Sequence, residues 1–134
     1  MIYLTKEEII SINKEMIFSF GGSFYEGSCN IKNDNSFGYL LAAPNQEVFG
    51  IERYPSIFDK AAAYLFFIIK DHIFCDGNKR TGMVAAFTFL DLNGMEISRK
   101  VNWNRIVNYS ERIAGCKPSI EHISRWLKRI ARIQ

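Results

Sequence analysis

Nine consecutive apolar residues, Ala61 to Ile69, lie between Lys60 and Lys70, and this segment constrains the fold more than any other. A helix built on such a run has no polar face, so the one that Pro55-Ser56 opens, Ile57 to about Lys70, has to be enclosed on every side. The run is well short of the roughly 20 apolar residues that a membrane span requires. It is therefore expected at the centre of a globular domain, with other helices wrapped around it. A chain of 134 residues has the usual size of one domain and can bury such a core without metal or disulfide staples. No repeat, low-complexity tract or Pro/Ser-rich linker divides it, so residues 1–134 are read as a single domain.

The wrapping helices are legible in the same way. Thr5 and Glu8 form a capping box, after which Ile9, Ile12, Met16 and Phe20 recur at helical spacing until Gly21-Gly22, giving a helix over about 6–20. Residues 21–35, rich in Gly, Ser, Asn and Asp, read as an irregular surface loop. Ser36 to Ala43 fits a short helix ending before Pro44, and Gln46 to Tyr54 fits an extended stretch or small hairpin. A strong helix over about 79–92 closes at Asn93-Gly94, a pair suited to a left-handed cap. Two more are expected over about 102–114 and 119–133. In the last, Ile123, Trp126, Leu127, Ile130 and Ile133 share one face while Arg125, Lys128, Arg129 and Arg132 share the other. That pattern reads as a terminal helix docked on its own core rather than as a membrane-surface helix. The fold class is all-α, with five or six helices and a small extended flap.

Composition excludes several function classes. With 48% hydrophobic and 23% charged residues the chain is not a disordered one. The N-terminus reaches Glu7 and Glu8 before any apolar stretch forms, so it is not read as a signal peptide, and a cytoplasmic location is expected. Cys29, Cys75 and Cys116 are odd in number and far apart, which argues against a disulfide framework or zinc site and for reduced thiols. The net charge of +3 is small but uneven: residues 1–98 carry a net of −4 and residues 99–134 a net of +7. The basic end suits an acidic partner. A nucleic-acid module would need exposed aromatics beside those basic residues, whereas Trp103 and Trp126 fall on apolar faces and read as core.

Chemistry concentrates between the two strongest helices, in His72-Ile73-Phe74-Cys75-Asp76-Gly77-Asn78-Lys79-Arg80-Thr81-Gly82. This is a tight loop that delivers an imidazole, a carboxylate and a helix N-terminus to one small volume. Gly77 permits a backbone conformation closed to other residues, and Asn78 reads as the N-cap, so the free N–H groups of the next turn point at an anion. Lys79 and Arg80 add positive charge, Asp76 supplies a hard oxygen for Mg²⁺, and His72 is the nearby side chain suited to proton transfer near neutral pH. Phe74 is expected to point inward as the apolar peg of the loop. Taken apart, these pieces are also ordinary turn chemistry, with His72 merely capping the preceding helix.

Taken together, the string matches the signature HxFx(D/E)GN(G/K)R and resembles the Fic/Doc family, in particular its Doc-like (death-on-curing) branch of bacterial toxins. Leu4-Thr5-Lys6-Glu7-Glu8, Gly21-Gly22-Ser23, Tyr54-Pro55, Lys60 to Ala63 and Phe89-Leu90 through Asn93-Gly94 are similar to landmarks of that branch. The resemblance implies a compact all-α Fic/Doc (Fido) fold and transfer of part of a nucleotide onto a target-protein hydroxyl. It implies His72 as the base, Asp76 as the Mg²⁺ ligand, and Gly77, Asn78, Lys79 and Arg80 as the phosphate-binding residues, with ATP and Mg²⁺ as cofactors.

Members that transfer AMP have a glycine where this chain has Lys79 and a second arginine where it has Met83. Both departures are shared with the Doc-like branch, which transfers the γ-phosphate, with translation elongation factor Tu as the known kind of target. The resemblance therefore implies protein phosphorylation, the alternatives being AMP transfer and a nucleotide- or protein-binding member without catalysis. The stretch Phe24 to Asn35 carries only Glu26, Lys32 and Asp34 as charged residues, unlike the acidic, Arg-containing stretch usual in the branch, which points to a different target choice. The segment 46–54 corresponds to the family's flap, which pairs with an extended target segment. A self-inhibitory (S/T)xxxE(G/N) motif is not matched, since Met16 follows Ser11 to Glu15. Such a toxin implies a separate small antitoxin whose disordered tail folds on binding, with the basic C-terminal region as its landing surface.

Overall fold

Helix α3, Ile57–Lys70, buries Ala61, Ala62, Ala63, Tyr64, Leu65, Ile68 and Ile69, as a helix without a polar face must. The computed structural model describes residues 1–116 and 118–134, without the side chain of Cys116, so the reading of that residue as a thiol lies outside the described residues. Cys29 and Cys75 are exposed and free. Around α3, in chain order, come α1 (Lys6–Phe20), α2 (Asp34–Ala42), a hairpin of β1 (Glu47–Val48) and β2 (Ile51–Glu52), α4 (Asn78–Leu92), β3 (Met95–Ile97), α5 (Trp103–Cys116), α6 (Ile120–Ile130) and β4 (Ala131–Ile133). The fold is all-α, with two small two-stranded sheets among the described residues.

Local chemistry sets these boundaries. Ser56 and Asp59 exchange hydrogen bonds as a capping box on α3, and Thr5 and Glu8 do the same on α1. The partners of α3 are chiefly α4 and α6, and α1 lies against α4. Two polar contacts fix α3 in its apolar surroundings. The Tyr64 hydroxyl accepts from the Leu4 N–H at 3.1 Å, and Asp59 accepts from the Ser124 hydroxyl of α6 at 2.6 Å. Lys60, 1% exposed, donates its ammonium to the Pro44 carbonyl at 2.9 Å and to Glu52 at 3.1 Å. A buried ammonium needs such partners, and the result ties the flap hairpin to the central helix.

The hairpin pairs Glu47 with Glu52 and Val48 with Ile51. Phe49 at its tip is fully exposed.

Four expectations need correction. The last helix ends at Ile130, not Ile133: residues 131–133 leave it and pair antiparallel with β3, Met95 opposite Ile133 and Glu96 opposite Arg132. An Arg132–Glu96 contact of 3.0 Å and the Ser98 N–H bond to the Ile130 carbonyl hold this exit. Ile133 is consequently 82% exposed. Trp103 begins α5 at 49% exposure and is not core, whereas Trp126 is buried, its ring stacked 3.9 Å from that of Tyr109. On α1 the buried positions are Ile9, Asn13 and Ile17, and Phe20 is exposed, because the helix turns a stripe containing a polar residue toward the site. Finally, α4 starts at Asn78 with Gly77 as its cap.

Candidate active site

The chain leaves α3 through Asp71, and His72 adopts a φ of +46°, the left-handed position that glycine usually fills after a helix. A non-glycine residue there is held at a cost of about 1 kcal/mol. The strain turns the chain sharply off the α3 axis, and Ile73 and Phe74 then dive into the core, both fully buried. Phe74 meets the Phe37 ring edge-on at 5.5 Å, so it is the apolar peg expected of it.

Residues 21–35, whose role is not legible in the sequence, turn out to support this loop. Ile31 forms a bridge with Phe74, the Cys75 N–H donates to the Asn30 carbonyl at 2.8 Å, and the Lys32 N–H donates to the Ile73 carbonyl at 2.8 Å. Asn30, at a left-handed φ of 61°, donates its buried side-chain amide to Asn13 of α1 at 2.9 Å. Asn13 donates in turn to the Asp76 carbonyl at 2.9 Å and to the Thr81 hydroxyl at 3.0 Å. These buried amides are satisfied by one another and by the motif, and so they lock it in place.

Asp76 is oriented from both sides. One carboxylate oxygen accepts the Ser23 N–H at 3.0 Å and the other accepts the Gly77 N–H at 2.8 Å. The Ser23 bond is possible because Gly22, at φ +127°, has no side chain: a Cβ there would lie 2.7 Å from an Asp76 carboxylate oxygen. Gly77 takes φ +77°, and a Cβ on it would stand 2.9 Å from the Ile17 methyl. Among the described residues no three His, Cys, Asp or Glu side chains gather to hold a metal. A divalent ion fits here only in the manner of Mg²⁺, through one carboxylate whose oxygens each retain a lone pair, completed by ligand phosphates.

Asn78 does not cap α4. Its side chain accepts from the Phe74 N–H at 2.9 Å and donates to the Phe74 carbonyl at 2.8 Å, which closes the loop on itself. The first-turn N–H groups of α4 therefore face the cleft without a side-chain cap, the arrangement that suits an anion. Arg80 is exposed, and its guanidinium lies 4.3 Å from the centre of the Phe20 ring, a cation–π contact that holds it over the end of α1. Lys79 is not free: its ammonium meets Glu111 of α5 at 2.8 Å.

His72, Asp76, Gly77, Asn78, Lys79 and Arg80 all line one open cleft of about 400 Å³, closed on its far side by Val107, Ser110, Glu111 and Ala114 of α5. The structure thus brings together every residue singled out from the sequence. It adds Asn13, Phe20, Gly22, Ser23, Asn30 and Glu111. Asn13 carried a signal, a polar residue between Ile9 and Ile17 on one helical face, and Gly22 carried one as a landmark. Glu111 carried none, since only the packing of α5 brings it to Lys79.

Two known proteins are similar to this chain. The chain is 30% identical over 103 residues to the protein named Toxin Doc of Mycolicibacterium smegmatis, covering 77% of this chain and 79% of that one. It is 29% identical over 97 residues to the protein named Protein kinase doc of Escherichia phage P1, covering 72% of each. The model of the Fic/DOC family matches residues 3–90, which contain α1, the supporting loop, α3 and the whole His72 to Arg80 segment, and the chain belongs to that family.

Proposed function

We propose that this chain is a toxin-type protein phosphotransferase that moves the γ-phosphoryl group of ATP onto a hydroxyl of a target protein. The observation that carries the reading is the convergence of His72, Asp76 and the uncapped N-terminus of α4 on one open cleft. The names of the two relatives, a toxin and a protein kinase, support it.

His72 accepts the proton of the target hydroxyl, whose oxygen then bonds to the γ-phosphorus while the bond to the β–γ bridging oxygen breaks and a nucleoside diphosphate leaves. Asn78 and Lys79 offer backbone N–H groups to the phosphates, Gly77, whose own N–H is held by Asp76, makes the turn that exposes them, and Arg80 places a guanidinium beside them, so developing charge meets fixed donors. Mg²⁺, held by Asp76 and the nucleotide's own oxygens, supplies charge neutralisation when bound. Lys79 reaches a phosphate only by leaving Glu111, a partly exposed contact of the kind worth about 0–1 kcal/mol.

The β1–β2 hairpin, pinned by Lys60, is the flap that meets the target, for which a translation elongation factor is our first candidate. The chain acts in the cytoplasm as one domain and is restrained by a small antitoxin protein; Glu15 is exposed on α1 and Arg80 stacks on Phe20, so the reading does not rely on an internal glutamate brake. The test is transfer from ATP labelled at the α- or the γ-phosphate to proteins of a bacterial lysate. Label from γ alone supports the reading. Label from α replaces it with AMP transfer, and label from neither leaves a binding protein without catalysis.

A further inference from the structure

A second cleft, of about 310 Å³, lies between α5 and α6, and its chemistry differs from the first. Arg105 and Arg112 stand seven residues apart on α5, and His122 and Arg129 seven apart on α6, so each helix aligns two nitrogen donors along one face. Between them the floor is the stacked pair Tyr109 and Trp126. Lining side chains offer donors from three guanidiniums and an imidazole, and no carboxylate.

Among the described residues none of Arg105, Arg112 and Arg129 forms an ion pair. Residues 99–134 contain only two acidic side chains. Glu111 is engaged by Lys79 in the other cleft, and Glu121 lies near Tyr54. An independent observation points the same way: the Tyr109 hydroxyl is buried, in a residue 8% exposed, and has no hydrogen-bond partner among the described residues. The charged groups around it are Arg112, Arg129 and Arg125. A buried hydroxyl without a partner is costly, and an oxyanion entering this cleft satisfies it together with the guanidiniums.

We propose that the cleft between α5 and α6 binds an acidic peptide segment of a protein partner. Carboxylates match the guanidinium fork, and one segment carrying several of them engages both helices at once, which a small anion on exposed side chains does not. Single-stranded nucleic acid is disfavoured by the floor, because Tyr109 and Trp126 stack on each other, both buried, and present no free face for bases. Since α5 also forms the far wall of the candidate active site, a segment seated here touches the helix that bears Glu111. The inference does not depend on the transfer reaction.

The test is binding of a short fluorophore-labelled peptide of alternating Glu and Asp to the full chain at physiological salt. Arg105→Gln with Arg112→Gln is expected to weaken it by about tenfold. Tyr109→Phe, which removes only the hydroxyl, is expected to weaken it by about threefold without loss of helix content. A control of equal charge, Lys100→Gln with Lys128→Gln, lies outside the cleft and is expected to leave affinity within about twofold. Equal losses in the control and the cleft variants, or unchanged binding in Tyr109→Phe, overturn the proposal. So does tighter binding of a single-stranded oligonucleotide of the same charge, lost in the same arginine variants.

Discussion

Asn13 donates its side-chain amide to the Asp76 carbonyl at 2.9 Å, so the first helix of the chain holds the loop that carries the candidate carboxylate. The same amide group accepts from Asn30 and donates to Thr81. Asn13→Ala leaves the Asn30 amide and the Asp76 carbonyl without their partner. It is expected to lower unfolding free energy by about 2–3 kcal/mol, read as a reduced midpoint in urea. An unchanged midpoint would mean that water replaces the amide without loss.

Gly22 offers a sharper test of the site, because its backbone strain and its contact with Asp76 act together. Gly22→Ala places a methyl 2.7 Å from an Asp76 oxygen and 2.9 Å from the Ile17 methyl, at a φ of +127°. The Ser23 bond must break or Asp76 must move. Transfer activity is expected to fall by at least about tenfold, with half-maximal Mg²⁺ concentration raised. Retention of normal Mg²⁺ dependence would detach Asp76 from the metal.

On the proposed function, Phe20 positions Arg80 for the nucleotide. Its ring lies 4.3 Å from the guanidinium, at an exposed place where such a contact contributes about 0.5–1 kcal/mol. Phe20→Leu is therefore expected to raise the KM for ATP by about three- to fivefold, with kcat changed less, and Phe20→Trp to restore it. A fall in kcat alone would contradict the positioning role.

Tyr64 gives stability a pH dependence. Burial pushes its hydroxyl from 10.0 to about 12, partly opposed by the Leu4 N–H bond. The unfolded chain loses this proton first as pH rises, so the contribution is complete below pH 10 and is lost between 10 and about 12. Over that window it amounts to about 3 kcal/mol. Tyr64→Phe is expected to flatten the decline of stability above pH 10, at a cost of about 1 kcal/mol near neutrality for the lost Leu4 bond. An unaltered alkaline decline would place its source elsewhere.

The apolar run in α3, the capping box at Thr5 and the Pro55-Ser56 opening made the helical core legible, since local periodicity and capping decide such elements. The His72 to Arg80 string was legible because its residues are contiguous and its loop is closed by near neighbours such as Asn78 and Phe74. What escaped the sequence depends on long-range pairing. The exit of residues 131–133 into a sheet is decided by Met95 to Ile97, and the Asn13–Asn30 pair by the way a loop without periodicity lies on α1. Asn78 illustrates the limit of local rules: a residue type favoured as a cap instead closes the loop behind the helix, and Gly77 takes the cap position.

The central claim is that His72 takes the hydroxyl proton in a cleft whose nucleotide contacts belong to other residues. The most direct measurement compares wild type and His72→Ala for both ATP affinity and the rate of γ-phosphoryl transfer to a protein target. The account predicts a rate lower by about 10² to 10⁴-fold, with the Kd for ATP within about twofold of wild type. Transfer at an undiminished rate in His72→Ala would contradict it.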